Sequence, residues 1–371
     1  MTTTTLTAVS GDAAKPRESE QPHSTLSASF NYYSFGTSPE LDDISSFNGT
    51  SSDIASRTLP VTDLRGLLES LSRYNRETHG FRILHQPFAI DASHSSVHDP
   101  EVMYSEYYPS IVSLLKERLK VRSAVVINHT LRDVPVQEGH HVDPKNPRPV
   151  GKSLAPFFLA HSDYKPAAAR AHLRATTPEW FTGTKMEAGT TDEEGKEFFR
   201  LRDEIIYAED EAMRNSGLEA GNGDAIFGEG GQWDWDGQGY DGPRYAMFSI
   251  WRPWETVKRD PLAVLDTRGQ EFSYISLPRM YRNRPGCIPE YYNENVLVKP
   301  LILGGKGHHA WCYIKEQKPD EVLALKFYYS EALRRDDSKI RLMCPHSAFH
   351  TPEMGNEPVR RSCELRVWCI W

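Results

Sequence analysis

Residues 346–349 read His-Ser-Ala-Phe, and Arg360-Arg361-Ser362 begins fourteen residues after His346. Far upstream, His161-Ser162-Asp163 adds a second histidine and a carboxylate. Two imidazoles and one carboxylate can occupy one face of an octahedral Fe(II), which leaves three positions for a bidentate 2-oxo acid and dioxygen. The sequence therefore predicts a fold that brings these distant segments together around one metal ion.

Arg360 and Ser362 suit the far carboxylate of such a 2-oxo acid. A guanidinium donates two parallel hydrogen bonds to a carboxylate, and a lysine ammonium does this less well. Side chains two positions apart on a strand point to the same side, so Ser362 can place its hydroxyl beside Arg360. Arg366 shares this strand face by parity and is a second candidate for the same anchor.

The histidine–aspartate triplet is not specific by itself. Roughly two His-x-Asp/Glu triplets are expected by chance in such a chain, and two occur, at His161 and His141. His161 follows the apolar run 154–160, which predicts a strand that holds the ligands rigidly. His141 lies in a stretch rich in proline and glycine, typical of an exposed loop. We therefore expect His161, Asp163 and His346 to bind the metal.

Other histidines compete for the position of the distal ligand. His308 and His309 precede a predicted strand, but no Arg-x-Ser follows them. His350 lies four residues after His346, and we expect it to face solvent or to contact a ligand from behind. A turn position is the simpler interpretation of His308 and His309.

Composition limits the classes of protein. The chain has 371 residues, 39% of them hydrophobic, and a net charge of −8. The acidic balance argues against nucleic-acid binding. No apolar run approaches about 18 residues, so no membrane span is expected, and no secretory signal is apparent. The five cysteines form no Cys-x-x-Cys pair, which favours reduced thiols in a cytoplasmic protein.

The pattern along the chain predicts one domain of mixed structure. Residues 1–27 have the composition of a disordered tail, and residues 28–371 are expected to form a single domain. Apolar residues at helical spacing predict helices at 58–74, 104–120 and 191–217. Short β-rich segments separated by turn residues predict strands at 245–251, 262–266, 271–277, 297–303, 309–314, 322–328 and 362–371. This pattern indicates a mainly β, α+β fold with a jelly-roll core buttressed by helices.

Several segments, in the same order, resemble a fungal family of hydroxylases and desaturases that includes gibberellin desaturase and the aspergillic-acid hydroxylase. The similar segments are residues 160–164, 168–170, 248–253, 260–266, 309–313, 319–323, 346–350 and 360–366. The resemblance extends from about residue 29 to the end of the chain. It implies a double-stranded β-helix, Fe(II) and 2-oxoglutarate, with ascorbate as a candidate reductant.

The resemblance also implies the reaction. The expected enzyme hydroxylates or desaturates an unactivated C–H bond of a small specialised metabolite, with dioxygen as the other reactant. Gibberellin desaturation is the leading specific expectation. Arg170 and Arg252 are candidates for substrate contact, and structural ion pairs are the alternative for both. Residues 180–243 look like an insertion whose Gly/Trp-rich part, 228–242, is either a surface loop or a lid.

Two other functions stay open at this point. A zinc-dependent hydrolase also uses histidine and aspartate ligands, but it has no need for Arg360 and Ser362. A barrel that has lost its metal would have no catalytic function. The sequence leaves the oligomeric state open.

Overall fold

The structure is a computed structural model that describes eleven parts of the chain. These are residues 25–34, 54–66, 79–135, 153–181, 192–218, 235, 237–267, 274–281, 291–298, 309–334 and 342–371, with backbone alone for 274–281 and 291–298. His141, Asp143, His308 and most of the predicted 228–242 loop lie outside the described residues.

The described strands form two sheets. They are β1 Thr25–Tyr33, β2 Ile54–Asp63, β3 Phe81–His85, β4 Ser123–Arg132, β5 His161–Ser162, β6 Tyr245–Pro253, β7 Leu262–Asp266, β8 Tyr274–Tyr281, β9 Tyr291–Val298, β10 Ala310–Tyr313, β11 Glu321–Tyr329, β12 His346–Ala348 and β13 Ser362–Ile370. In the larger sheet the order is β1-β2-β10-β7-β12-β5-β9-β8, and in the smaller sheet it is β3-β11-β6-β13-β4.

The helices lie mainly between β3 and β6. They are α1 His94–Val97, α2 Pro100–Val102, α3 Tyr108–Leu119, α4 Pro166–Ala175, α5 Pro178–Phe181, α6 Glu193–Asn215 and, after β11, α7 Ser330–Arg334. A π-turn at Met103–Tyr107 joins α2 to α3. Among the described residues, no helix is both long and apolar enough to cross a membrane.

Strand β6 separates two of the hydrophobic clusters. Because side chains alternate along a strand, Tyr245, Met247 and Trp251 join a cluster that also contains residues of the larger sheet. Phe248 and Ile250 point to the opposite face and pack in a cluster with α3. The cluster shared by the two sheets therefore forms the interior in which a site can be enclosed.

Helix α3 covers the outer face of the smaller sheet. Its buried residues Ile111, Leu114, Leu115 and Leu119 recur at helical spacing and join the cluster of Phe248. The helix ends at Lys120, which adopts a left-handed conformation with φ of 56°, a common way to terminate a helix. The periodic apolar stripe thus explains why this segment is a helix and where it packs.

The broad prediction of a mainly β, α+β fold is confirmed. Helices at 104–120 and 191–217 correspond to α3 and α6, and the strand predicted at 262–266 has these same limits in β7. The helix predicted at 58–74 is wrong at its start, because residues up to Asp63 belong to β2, which pairs with β1 and β10. Tertiary pairing there overrides the local pattern.

Two boundaries also differ from the prediction. Strand β1 begins at Thr25, inside the predicted tail of residues 1–27. The strand predicted at 154–160 is reduced to isolated bridges at Leu154 and Leu159. Leu159 pairs with Asn31 of β1, so the segment before His161 is fixed by neighbouring chain rather than by a strand of its own.

We predict that Leu115→Ala lowers the free energy of unfolding by about 2–5 kcal/mol, because it leaves a cavity under α3. The matched control is Glu117→Ala on the exposed side of the same helix, which should change it by less than about 0.5 kcal/mol. Urea unfolding of both variants provides the measurement. Equal costs for the two changes would contradict the packing of α3 described above.

Candidate metal centre

Neighbouring strands bring the two predicted histidine ligands together. Strand β12 lies between β5 and β7, and His346 pairs directly with His161 across the β5–β12 ladder. Directly paired side chains project from the same face of a sheet. The two imidazole centroids are accordingly 4.3 Å apart, with an angle of 50° between the rings.

Asp163 completes the group. It follows β5 two residues after His161, and its Oδ1 lies 3.9 Å from His161 Nε2. One ligand atom from each of His161, Asp163 and His346 lies within 4.8 Å of the others, and all three side chains are largely buried. An ion that binds nitrogen and oxygen at about 2.0–2.2 Å can be shared by atoms so spaced.

Backbone carbonyls orient both imidazoles. Nδ1 of His161 donates a hydrogen bond to the carbonyl oxygen of Leu159 at 2.7 Å. Nδ1 of His346 donates to the carbonyl oxygen of Cys344 at 3.2 Å. A carbonyl oxygen only accepts, so each Nδ1 carries the hydrogen and each neutral ring presents the lone pair of Nε2. This is how ligand histidines are usually fixed by their surroundings.

The electrostatic environment favours the protonation states that bind metal. Burial, together with the neighbouring His346, lowers the pKa of His161 to about 3. Burial by itself would raise the pKa of Asp163, but Arg366 and the two imidazoles lower it to about 2. A neutral imidazole and an ionised carboxylate are the forms that coordinate a cation.

Arg366 acts on the same carboxylate from the opposite side. Its Nη2 lies 3.5 Å from Asp163 Oδ2, and its guanidinium lies 5.9 Å from the centre of the Tyr164 ring. Asp163 thus has one oxygen toward His161 and the other toward Arg366. This arrangement fits a carboxylate that offers a single oxygen to a metal.

A cavity of about 310 Å³ opens beside the two histidines. Trp251, Leu262, Leu325, Ala348 and Phe157 supply its apolar wall. Its polar lining consists of Ser249 and three charged side chains, Arg132, Arg360 and Glu364. The cavity therefore combines a candidate metal site with a cationic lining, as an enclosed anionic co-substrate requires.

Arg360 has unused hydrogen-bonding capacity in this cavity. Its Nη1 donates to the backbone carbonyl oxygen of Asp260 at 2.7 Å, and its guanidinium lies 5.3 Å from the centre of the Trp251 ring. Burial and the nearby Arg132 lower the pKa of Arg360 to about 9, so it remains a cation at neutral pH. Within the described structure, its buried Nε has no hydrogen-bond partner.

Ser362 shows the same unused capacity. It lies two residues after Arg360 at the start of β13, is fully buried, and its Oγ has no partner in the described part of the chain. Buried polar atoms without partners cost free energy unless a ligand satisfies them. The residues present therefore fit a planar carboxylate beside Arg360 and Ser362.

The structure does not bring Arg252 or Arg170 to the cavity. Arg252 lies on β6 at the even-numbered face, and it donates to the carbonyl oxygens of Pro319 at 2.9 Å and Gln86 at 2.6 Å. Arg170 lies on α4, buried, with its guanidinium 5.1 Å from the centre of the Trp235 ring. Both positions match the structural alternative stated for these arginines.

The competing histidines lie elsewhere. His350 Nδ1 contacts Asp260 Oδ1 at 2.8 Å, and His309 Nδ1 contacts the Tyr32 hydroxyl at 2.9 Å. Both are thus engaged away from Asp163.

Sequence reasoning missed three polar residues that line the cavity. Glu364 Oε1 accepts a hydrogen bond from Ser249 Oγ at 3.1 Å, and Glu364 Oε2 lies 3.9 Å from Arg132 Nη2. Glu364 shares the strand parity of Ser362, and Ser249 interrupts an apolar run, so both carried a signal. Arg132 carried none, because only strand register places it opposite Ser362.

We predict that His346→Ala reduces Co(II) binding at this centre by at least ten- to a hundredfold, the loss that even outer partners of metal ligands cause. The physical reason is the loss of one of three ligand atoms. Titration of the Co(II) absorption band measures the affinity, with His350→Ala as the matched control that retains it. Unchanged Co(II) affinity in His346→Ala would contradict the assignment.

Comparison with known proteins places the chain in a family. A family model described as "Oxidoreductase/YMDC permease-like domain" matches residues 22–188 and 238–370. Gibberellin cluster GA4 desaturase of Gibberella fujikuroi is 28% identical over 352 residues, covering 87% of this chain and 89% of that protein. Hydroxylase/desaturase asaB of Aspergillus flavus is 37% identical over 128 residues, covering 33% and 54%.

A solved structure supports the same placement at the level of the fold. The iron and alpha-ketoglutarate-dependent endoperoxidase NvfI matches with a TM-score of 0.55 and 17% identity, covering 93% of this chain and 98% of that one. The resemblance to fungal hydroxylases and desaturases is confirmed. The chain belongs to this family of oxidoreductases.

Proposed function

We propose that this oxidoreductase depends on Fe(II) and 2-oxoglutarate and hydroxylates or desaturates an unactivated C–H bond of a small specialised metabolite. The observation that carries the proposal is the convergence of His161, Asp163 and His346 beside a cavity that also contains Arg360. Names of relatives agree with it, since two are called alpha-ketoglutarate-dependent dioxygenases, tstK and phiK.

The proposed fold follows from the sheets and from the structural likeness. We assign the two sheets around the cavity to a double-stranded β-helix. The likeness to the NvfI endoperoxidase supports this assignment. Residues 28–371 then form one domain with an insertion at about 180–243. In support, the family model matches on both sides of residues 189–237 and omits them.

The three ligands divide their roles by chemistry. His161 and His346 bind Fe(II) through Nε2, and Asp163 binds through the oxygen that faces His161. Bound Fe(II) supplies the activation of dioxygen that the oxidation requires. Arg366 holds the other oxygen of Asp163, and this contact keeps the carboxylate ionised and oriented.

Arg360 and Ser362 bind the far carboxylate of 2-oxoglutarate in this proposal. The guanidinium donates its unused N–H to one carboxylate oxygen, and the Ser362 hydroxyl donates to the other. Of the two arginines on this strand face, Arg360 lines the cavity while Arg366 lies at Asp163. These positions support Arg360 as the anchor and give Arg366 the supporting role.

The rest of the cavity positions the reactants and excludes water. Trp251, Leu262 and Leu325 form an apolar wall beside the histidines, which strengthens the electrostatic contacts inside. A zinc-dependent hydrolase needs a water path to the metal and has no use for a carboxylate anchor. The buried, partnerless Nε of Arg360 thus favours the oxygenase over the hydrolase.

A gibberellin-type diterpenoid is the specific substrate that we propose first. The similarity to the GA4 desaturase supports it, although 28% identity leaves room for a different substrate within this family. Described parts of the proposed insertion pack on the core: Trp235 is buried against Arg170, and Tyr240 is also buried. These contacts favour an anchored loop over a freely hinged lid.

The proposal is tested by dioxygen-dependent conversion of 2-oxoglutarate to succinate with Fe(II) and a gibberellin-type acid. We predict that Arg360→Gln raises the half-saturating 2-oxoglutarate concentration roughly 10- to 100-fold, since hydrogen bonds to a charged group contribute about 1.5–3 kcal/mol. Fe(II) affinity should stay unchanged in this variant.

Arg366→Gln is the matched control on the same strand face. It should weaken Fe(II) binding and leave 2-oxoglutarate binding close to that of the parent, because its contact is with Asp163. The reverse pattern would transfer the anchor to Arg366. Hydrolysis of a substrate without consumption of dioxygen would instead establish the zinc-dependent alternative.

A further inference from the structure

A second group of metal-binding side chains lies outside the cavity, at His94, His98 and Asp133. Asp133 Oδ2 lies 2.8 Å from His98 Nε2 and 3.4 Å from His94 Nε2. One ligand atom from each residue lies within 4.8 Å of the others. These separations suit one ion bound at about 2.0–2.2 Å from each atom.

The two histidines are held on one helical turn. Ser93 caps α1 by accepting a hydrogen bond from the Ser96 N–H at 3.3 Å, and the His98 N–H donates to the His94 carbonyl oxygen at 3.1 Å. Residues four apart on such a turn face the same direction. The imidazoles therefore lie parallel, with centroids 3.9 Å apart and 21° between the rings.

The core fixes this turn in place. Val97, between the two histidines, is fully buried in the cluster under α3. The His98 ring contacts the buried Trp254 edge to face, with centroids 6.3 Å apart. The two imidazoles are thus aimed before any ion binds, which reduces the entropy that binding must overcome.

Asp133 points to a missing cation. It directly follows β4, and its side chain is 4% exposed, whereas that of His94 is 60% exposed. Both imidazole contacts reach Oδ2, while the buried Oδ1 has no hydrogen-bond partner within the described structure. A histidine–aspartate hydrogen bond explains the position of His98 alone. It leaves unexplained both the second imidazole and the unsatisfied carboxylate oxygen, each of which costs free energy.

We propose that His94, His98 and Asp133 form a second metal site, selective for Zn(II), that fastens α1 to the end of β4. Two imidazole nitrogens favour Zn(II) over Mg(II) or Ca(II), which prefer oxygen ligands. Water completes the coordination at the exposed side, next to His94. The site shares no residue with the proposed iron centre and does not depend on the proposed function.

The test is a calorimetric Zn(II) titration of the full-length, metal-free chain. His346→Ala provides the background, because it disables the candidate iron centre and leaves the second site intact. In this background we expect one bound Zn(II) per chain. Adding His94→Ala should reduce the remaining affinity by at least about 10- to 100-fold, and adding His85→Ala, another exposed histidine, should leave it unchanged.

A second readout covers stability. Zn(II) should raise the melting temperature of His346→Ala, because a ligand that binds only the native state stabilises it. The rise should vanish on adding either His94→Ala or Asp133→Asn. His94 is exposed, so its replacement should preserve the fold and keep the test decisive.

The outcomes separate this inference from the proposed function. Equal Zn(II) affinity with and without His94 would overturn the second site, whatever the iron centre does. Binding of the same number of Zn(II) ions by the parent and His346→Ala would count against the iron centre and leave the second site standing.

Discussion

The pairing of β5 with β12 is the constraint on which the candidate centre depends. These strands have two and three residues, too few to be stable alone. Neighbouring chain holds them: Leu265 N–H donates to Pro345 O, and Ala348 N–H donates to Phe157 O, both at 2.9 Å. Because side chains alternate, a slip of one residue would turn the His346 ring away from His161.

Charge balance is the second constraint, because the cavity encloses several ionisable groups in a poorly polarisable interior. Arg132 and Arg360 are its cations, and Glu364 is the anion that partly offsets them. Glu364 is itself bound by Ser249 and lies near Arg132. Buried charges without partners are costly, so the cation at Arg360 is best accounted for by an anionic ligand. Family membership and cavity chemistry thus lead to the same class of reaction.

Local sequence was enough to predict the segments that carry chemistry. The His-x-Asp triplet, the later histidine and the Arg-x-Ser spacing selected residues that the structure places close together or on one strand face. Strand periodicity also located β7 and β13, because their β-branched and apolar residues favour an extended chain. The helix predicted from the leucines near residues 64–71 failed at its start, since pairing of β2 with β1 and β10 is set by distant residues.

Register explains the remaining differences. Arg252 lies in a segment that resembles the family, yet the alternation of β6 directs it away from the cavity, toward Gln86 and Pro319. Arg132 reaches the cavity only because β4 pairs with β13 in the observed register. No local pattern specifies either result, since both depend on which strands become neighbours.

The most direct test of the iron centre is anaerobic addition of 2-oxoglutarate to the Fe(II)-loaded chain, followed by visible absorption. The account predicts a weak charge-transfer band that requires both Fe(II) and 2-oxoglutarate and disappears in His161→Ala. A band that persists without His161, or its absence from the folded parent chain, would contradict the account.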